Sequence, residues 1–233
     1  RIDWLSQVML ARHLYPDLEH RPDEAAKEKE VYVRFLAARR LAEAASVFAH
    51  LDADEGGRYP LTGVGDVNTY ALFAETIQQV TGPKGRAGFI VPTGIATDDS
   101  TKAFFAYIAQ SGKLVELLAF ENEEFIFPSV HHSFRFCLLV LAGGASSQAA
   151  KFVFFARQPA DVHEEERQFE LSPEDYRLIN PNTLTCPVFR SRKDSELTKK
   201  IYAHVPVLIR EARDDEPEVN PWGISFMRMF DMS

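Results

Sequence analysis

The chain has 233 residues, 45% of them hydrophobic, with a formal net charge of −8. That is enough apolar material for one large domain or two small ones with a real core, and no apolar run reaches the roughly 18 residues a membrane helix needs. There is no signal-peptide pattern, and two cysteines, Cys137 and Cys186, are too few for a disulfide framework or a zinc cluster, so a soluble, reducing, cytoplasmic setting is expected. The acidic balance argues against an indiscriminate nucleic-acid binder but leaves room for a local basic surface.

Residues 1–50 read as helical. Ile2, Leu5, Met9 and Leu14 recur at a rough three-to-four spacing that Pro16 ends. The stretch from Arg21 to Leu51 is long and Ala-rich, made of strong helix formers. Val31, Phe35, Ala38, Ala42 and Ala45 can share one face. A solvated face is the ordinary reading of Arg34, Arg39 and Arg40; a ridge against a phosphate backbone is the alternative. Residues 52–65 form a polar connection with several glycines, an ordinary surface loop or a flexible loop over a site.

From Gly65 to Leu141 helix-period and strand-period segments alternate. Asp66 is placed to cap a helix in which Val67, Tyr70, Ala71, Ala74 and Ile77 repeat at helical spacing. RAGFIVP, residues 86–92, reads as a short strand covered on both faces. A helix capped by Thr97 or Asp99 follows and closes at Gly112. Leu114 to Phe120 and Phe134 to Leu141 are two more strands, expected as an antiparallel pair at the sheet edge. This order defines an α/β class. Lys151 to Ala156 is a further strand. Ser172 followed by Pro173 starts a short helix, and Asp194 or Ser195 caps another through about Ala203. Arg190, Arg192, Lys193, Lys199 and Lys200 make the densest basic cluster. Glu211 to Glu218 reads as an acidic loop.

Several familiar chemistries are missing. No GxGxxG-type phosphate loop and no HExxH or paired-Cys spacing occurs. His131 and His132 are adjacent, so in an extended segment they point apart and make a poor metal site; no metal is expected. Glu121, Glu123 and Glu124 read as a solvated loop. Ser129 lies near both histidines without a GxSxG elbow, which leaves an esterase-like hydrolase weakly supported.

Three pieces in order carry more: NTYALF at 68–73, GRAGFIVP at 85–92 and EFIFPSVHHSFRFCLLVL at 124–141. Together they resemble the later motifs of the DNA adenine-N6 methyltransferases, with the flavour of the large restriction–modification enzymes that join methylase and nuclease in one polypeptide. In that family an Asn/Asp-x-Tyr-x-x-Phe helix follows the catalytic strand. A Gly-rich strand ending in Pro comes next, and a Phe-Pro loop before a Val/Leu strand closes the set. The segments from Asn180 onward resemble the bridge toward a target-recognition region.

The resemblance implies a partial Rossmann-like S-adenosylmethionine methyltransferase fold, later strands only, with a helical insertion at 1–60, the methyltransferase half at 61–157 and a linker at 158–233. It implies that Phe127, stiffened by Pro128, stacks on a flipped adenine. It also implies that Phe73 packs near the cofactor's adenine with Asn68 lining that site, and that Arg190, Arg192 and Lys193 touch the DNA backbone. S-adenosyl-L-methionine is the implied cofactor, with Mg²⁺ only if a nuclease is fused. Double-stranded DNA, the upstream half of the same polypeptide and self-association through an exposed sheet edge are the implied partners, with no membrane. The bland reading of each aromatic is core packing. The alternative function is a non-enzymatic nucleic-acid or protein interaction module using residues 190–200.

Two family motifs are absent: the acidic, Gly-containing cofactor loop and the Asn/Asp-Pro-Pro-aromatic tetrapeptide. NPNT at 180–183 and NPWG at 220–223 each have one proline and come too late. With Arg1 rather than Met at the start, both motifs are expected upstream, and no catalytic residue is assigned within the 233 residues. The chain alone is therefore expected to be inert. Methyl transfer from labelled cofactor to duplex adenine by the purified 233-residue protein would contradict this.

Overall fold

Leu117, Leu139 and Phe152 lie side by side at the centre of a five-stranded sheet, all fully buried. A computed structural model of the chain describes residues 22–145, 149–212 and 216–226; the reading of residues 2–14 as helix lies outside these. The chain divides into two compact units, Arg1–Pro60 and Leu61–Ser233.

In the first unit helix α1 spans Pro22–His50. Arg39 and Glu43 pair at 2.6 Å across one turn, an exposed contact worth about 0.3–0.5 kcal/mol. On the face that Ala38, Ala42 and Ala45 share these three are exposed, while Ala49 is buried. Helix propensity, which is high for Ala, Arg and Glu, explains this helix better than burial does. Phe48 and Tyr59 meet edge to face at 6.0 Å.

The second unit is α/β, and its mixed sheet is consistent with part of a Rossmann-like fold. Strands β1 (Arg86–Pro92), β2 (Leu114–Glu121), β3 (Arg135–Ala142), β4 (Ala150–Ala156) and β5 (Phe169–Leu171) lie in the order β1-β3-β2-β4-β5. β3 runs antiparallel to both β1 and β2, so those two are parallel to each other, and β4 is parallel to β2. The antiparallel pair of β2 and β3 is present, but it is interior rather than at the edge. Helices α2 (Thr69–Val80), α3 (Gly94–Thr97) and α4 (Lys102–Gln110) precede β2, and α5 (Pro173–Ile179) and α6 (Arg192–Tyr202) follow β5.

One face of the sheet takes nearly all the helical packing. Ala71 and Ala74 of α2, Ile95 of α3 and Phe104, Phe105 and Ile108 of α4 join Val91, Leu117, Cys137, Leu139 and Phe152 in one buried cluster. Each fully buried Phe contributes about 1.5–3 kcal/mol of transfer free energy. Phe169, Leu171, Tyr176, Ile179 and Phe189 belong to the same cluster. The opposite face is thinner, with Leu118, Phe120, Val153 and Ala156 at its centre and Ile126, Phe136 and Leu138 packed on them.

Local signals set several boundaries. Ser172 and Asp175 cap α5 reciprocally with Pro173 at the first position. Asn68, not Asp66, caps α2, and Ser191, not Asp194 or Ser195, caps α6. No side chain caps the α3–α4 segment, so neither Thr97 nor Asp99 does so. Strand β1 alternates instead of being covered on both faces, and Ile90 is 51% exposed. The reason is its position: β1 pairs only with β3 and leaves its other edge unpaired among the described residues.

An unpaired edge next to an exposed apolar residue templates strand pairing. Light scattering is expected to give an apparent mass that rises with concentration, and Ile90→Lys is expected to suppress the rise. A wild-type monomer at all concentrations would contradict the expectation.

Candidate functional site

The carboxyl ends of β1, β2 and β4 point to one edge of the sheet, where open α/β sheets place their ligands. A cavity of about 280 Å³ sits there, lined by Thr93, Asp98, Glu121, Arg135 and Phe155 among others. Thr93 follows β1 directly, and its Oγ1 is buried with no hydrogen-bond partner. Gly94 lets the chain turn under the Asp98 carboxylate, because a Cβ at that position would collide with it. Burial, with Asp98 and Cys137 nearby, pushes the Tyr70 phenol above its ordinary value. The first turn of α2 therefore stands beside the residues that leave β1.

The loop from β2 to β3 rises from the same edge. Its core is Asn122, which is fully buried. The Asn122 Nδ2 donates to the carbonyls of Phe127 at 3.0 Å and Val130 at 2.8 Å, and its Oδ1 accepts from the Phe127 N–H at 2.9 Å. One side chain thus replaces the backbone partners that a turning loop lacks. Phe127 is 37% exposed and leans edge-on against Phe136 at 4.9 Å, which stacks on Phe120 at 5.2 Å. Pro128 is exposed beside it. Phe125, exposed on the same loop, has a φ of 51°, strained for a residue with a side chain. Neither Asn122 nor Phe125 stood out in the sequence. The only signal for Asn122 was a short amide directly after a strand, where local backbone bonding is common.

Two expectations about this loop need correction. Glu121 is not in a solvated loop: it ends β2 and pairs with Arg135 at 3.5 Å and Arg157 at 3.2 Å. His131 and His132 do not point apart, because the chain turns there and their rings lie 4.4 Å from each other. The hydroxyl bonded to His131 Nδ1 is that of Ser133, at 2.9 Å, rather than Ser129. Among the described residues no group of three or more His, Cys, Asp or Glu could hold a metal ion.

Asn68 spends its side-chain oxygen on the Tyr70 N–H at 3.4 Å, capping α2. Phe73 is 67% exposed on that helix. Because α2 packs on the helix-covered face while Phe127 leans on Phe136 of the other, the two aromatics serve opposite faces of the sheet. In the basic segment, the Arg190 guanidinium lies 4.5 Å over the Phe155 ring and Arg192 Nε donates to the Gln168 carbonyl at 3.0 Å. Lys199 Nζ is taken by Glu170 O and Asp175 Oδ2. Lys193 is exposed in the first turn of α6.

No protein-family model and no curated protein matches the chain. A solved structure of the type IIG restriction endonuclease BpuSI aligns with 55% of this chain at 18% identity and a TM-score of 0.41. The alignment spans 17% of that protein's length. A likeness of that extent decides neither fold nor activity. Among the described residues no helix is long and apolar enough to cross a membrane.

Replacing Asn122 with Ala strands the Val130 carbonyl and the Phe127 N–H, each costing about 1–3 kcal/mol, and leaves the Phe127 carbonyl with the Val130 N–H alone. Denaturant unfolding is expected to lose about 3 kcal/mol or more, and amide exchange is expected to quicken at Phe127. A loss below about 1 kcal/mol with unchanged exchange would show that the loop holds itself.

Proposed function

We propose that residues 61–157 are the base- and cofactor-facing half of an S-adenosylmethionine-dependent DNA adenine-N6 methyltransferase of the restriction–modification kind. One observation carries the reading. The three motifs that resemble the family, apart by tens of residues, end at the same carboxyl edge of the sheet, the first turn of α2 and the end of β1 on the helix-covered face and the Phe127 loop on the other.

The chemistry of the target explains the residue types. A methylase acting on a base takes it out of the duplex stack, and an aromatic ring then receives it at about 1–3 kcal/mol per base. Phe127 suits that task because its backbone is pinned at both ends by Asn122 while its ring stays partly open. Pro128 limits the loop further. The exposed ring of Phe73 offers one wall for the cofactor's adenine, and Asn68 acts by capping the helix that carries it. The described residues supply no more of that site than this wall. When bound, S-adenosylmethionine supplies the methyl group; this chain's share is to hold and stack. Lys193, exposed on α6, is the member of the basic segment best placed to reach DNA phosphates.

The test is made in a polypeptide that also carries the cofactor loop and the catalytic tetrapeptide. Nucleosides from treated duplex DNA are expected to contain N6-methyladenine. Phe127→Ala is expected to lower kcat/KM for DNA by roughly 5- to 150-fold, and Phe127→Trp is expected to restore most of it. No adenine methylation, or full activity in Phe127→Ala, would overturn the reading.

A further inference from the structure

Arg135 lines the carboxyl-edge cavity, and Arg157 and Arg190 each contact a residue that lines it, Glu121 and Phe155. Arg135 begins β3 and Arg157 follows β4, and both grip one carboxylate, Glu121 at the end of β2. Arg135 Nη2 lies 3.5 Å from one Glu121 oxygen, and Arg157 Nε and Nη2 lie 3.3 and 3.2 Å from the other. Asp161 also stands by Arg157, its Oδ2 accepting from the Arg157 N–H at 2.7 Å, so what the cluster offers is outward-facing paired donors rather than an excess of positive charge. Glu121 is mostly covered, whereas Arg135 and Arg157 are 64% and 54% exposed. A guanidinium has five N–H donors, so most of theirs face outward.

Arg190 adds a third charge, its guanidinium carbon 4.5 Å from the ring centre of Phe155, which lines the cavity. Phe155 has a φ of 60° at a register shift between β2 and β4, and its carbonyl accepts from Arg167 Nη1 at 3.3 Å. A strained residue held by surrounding contacts is a frequent mark of a working site. Thr93 Oγ1, buried in the cavity without a partner, awaits one more. Asp98 is a further carboxylate on the lining, and it already accepts from the Thr97 hydroxyl at 3.2 Å. Stability alone explains little here, since exposed pairs contribute about 0–1 kcal/mol.

We propose that the Arg135–Arg157–Arg190 cluster binds the phosphodiester backbone of DNA. Planar guanidinium forks match phosphate oxygens in pairs. In a chain with a net charge of −8, exposed bidentate donors of this kind are what can hold a polyanion. The inference rests on the DNA reading above and extends it to residues on the helix-covered face, opposite Phe127. Glu121 takes donors from both forks and so competes with a phosphate for them.

The test is fluorescence anisotropy of a labelled duplex with the 233-residue chain over a range of salt. Each phosphate contact adds about 0.9 to the slope of log K against log salt. Arg135→Gln with Arg157→Gln is therefore expected to lower the slope by about 2 and the affinity by about tenfold or more at roughly 0.1 M salt. Glu121→Gln frees both forks and is expected to tighten binding, an effect of opposite sign that misfolding does not mimic. Unaltered melting by circular dichroism is expected for the double variant.

No wild-type binding at low salt, an unchanged slope in the double variant, or weakened binding in Glu121→Gln would each overturn the proposal. So would displacement of the duplex by inorganic phosphate beyond the effect of chloride at equal ionic strength, which would mark a free-phosphate site. Methyl transfer does not enter this assay. Cluster-dependent binding without adenine methylation sinks the methylase reading alone, and the reverse result sinks only the cluster.

Discussion

The insertion of β3 between β1 and β2 is the constraint on which the rest of the second unit depends. Two parallel strands joined through helices leave a gap one strand wide, and β3 fills it in the opposite direction. The chain leaving β2 must then turn back at the carboxyl edge. That turn is the Phe127 loop, and its backbone groups find few partners in the sheet. Asn122 supplies them from a fully buried position. Topology therefore sets where the aromatic ring stands, and one amide sets its pose.

The two faces of the sheet divide the chemistry. The helix-covered face ends at a cavity with a buried unpaired hydroxyl, two carboxylates and Arg135. The thinner face ends in the ladder Phe120, Phe136 and Phe127, whose last ring is partly open. Strand pairing requires this division, since alternate residues of β2 and β3 point to opposite faces. Glu121 and Arg135 lie opposite each other in register and share the first face, while Phe120 and Phe136 share the second. A polar edge and an aromatic edge thus stand back to back on the two faces of one sheet.

Local signals in the sequence located most elements. Apolar runs marked β2, β3 and β4, and Ser172-Pro173 marked α5, because both are decided by neighbours in the chain. The features that differ were decided by partners far away. RAGFIVP is apolar enough for a central strand, yet pairing leaves it at an edge with Ile90 half open. Glu121 sits in an acidic stretch, but Arg135 and Arg157, 14 and 36 residues on, draw it into a network. β5 is only three residues long, too short to carry a period. The exposed aromatics Phe73 and Phe127 were legible as candidates, while the loop-holding role of Asn122 was not, since it exists only once the loop closes around it.

The central claim is that Phe127 receives a base drawn out of a duplex. Photocrosslinking tests it most directly. 5-Iodouracil is placed opposite an abasic site, where extrusion costs least, in a duplex bound by the polypeptide that carries this unit and its upstream half. After irradiation the crosslinked peptide is mapped by mass spectrometry. The account predicts attachment at Phe127. A crosslink that maps to the 190–200 segment or elsewhere, with Phe127 unmodified at saturating DNA, would contradict it.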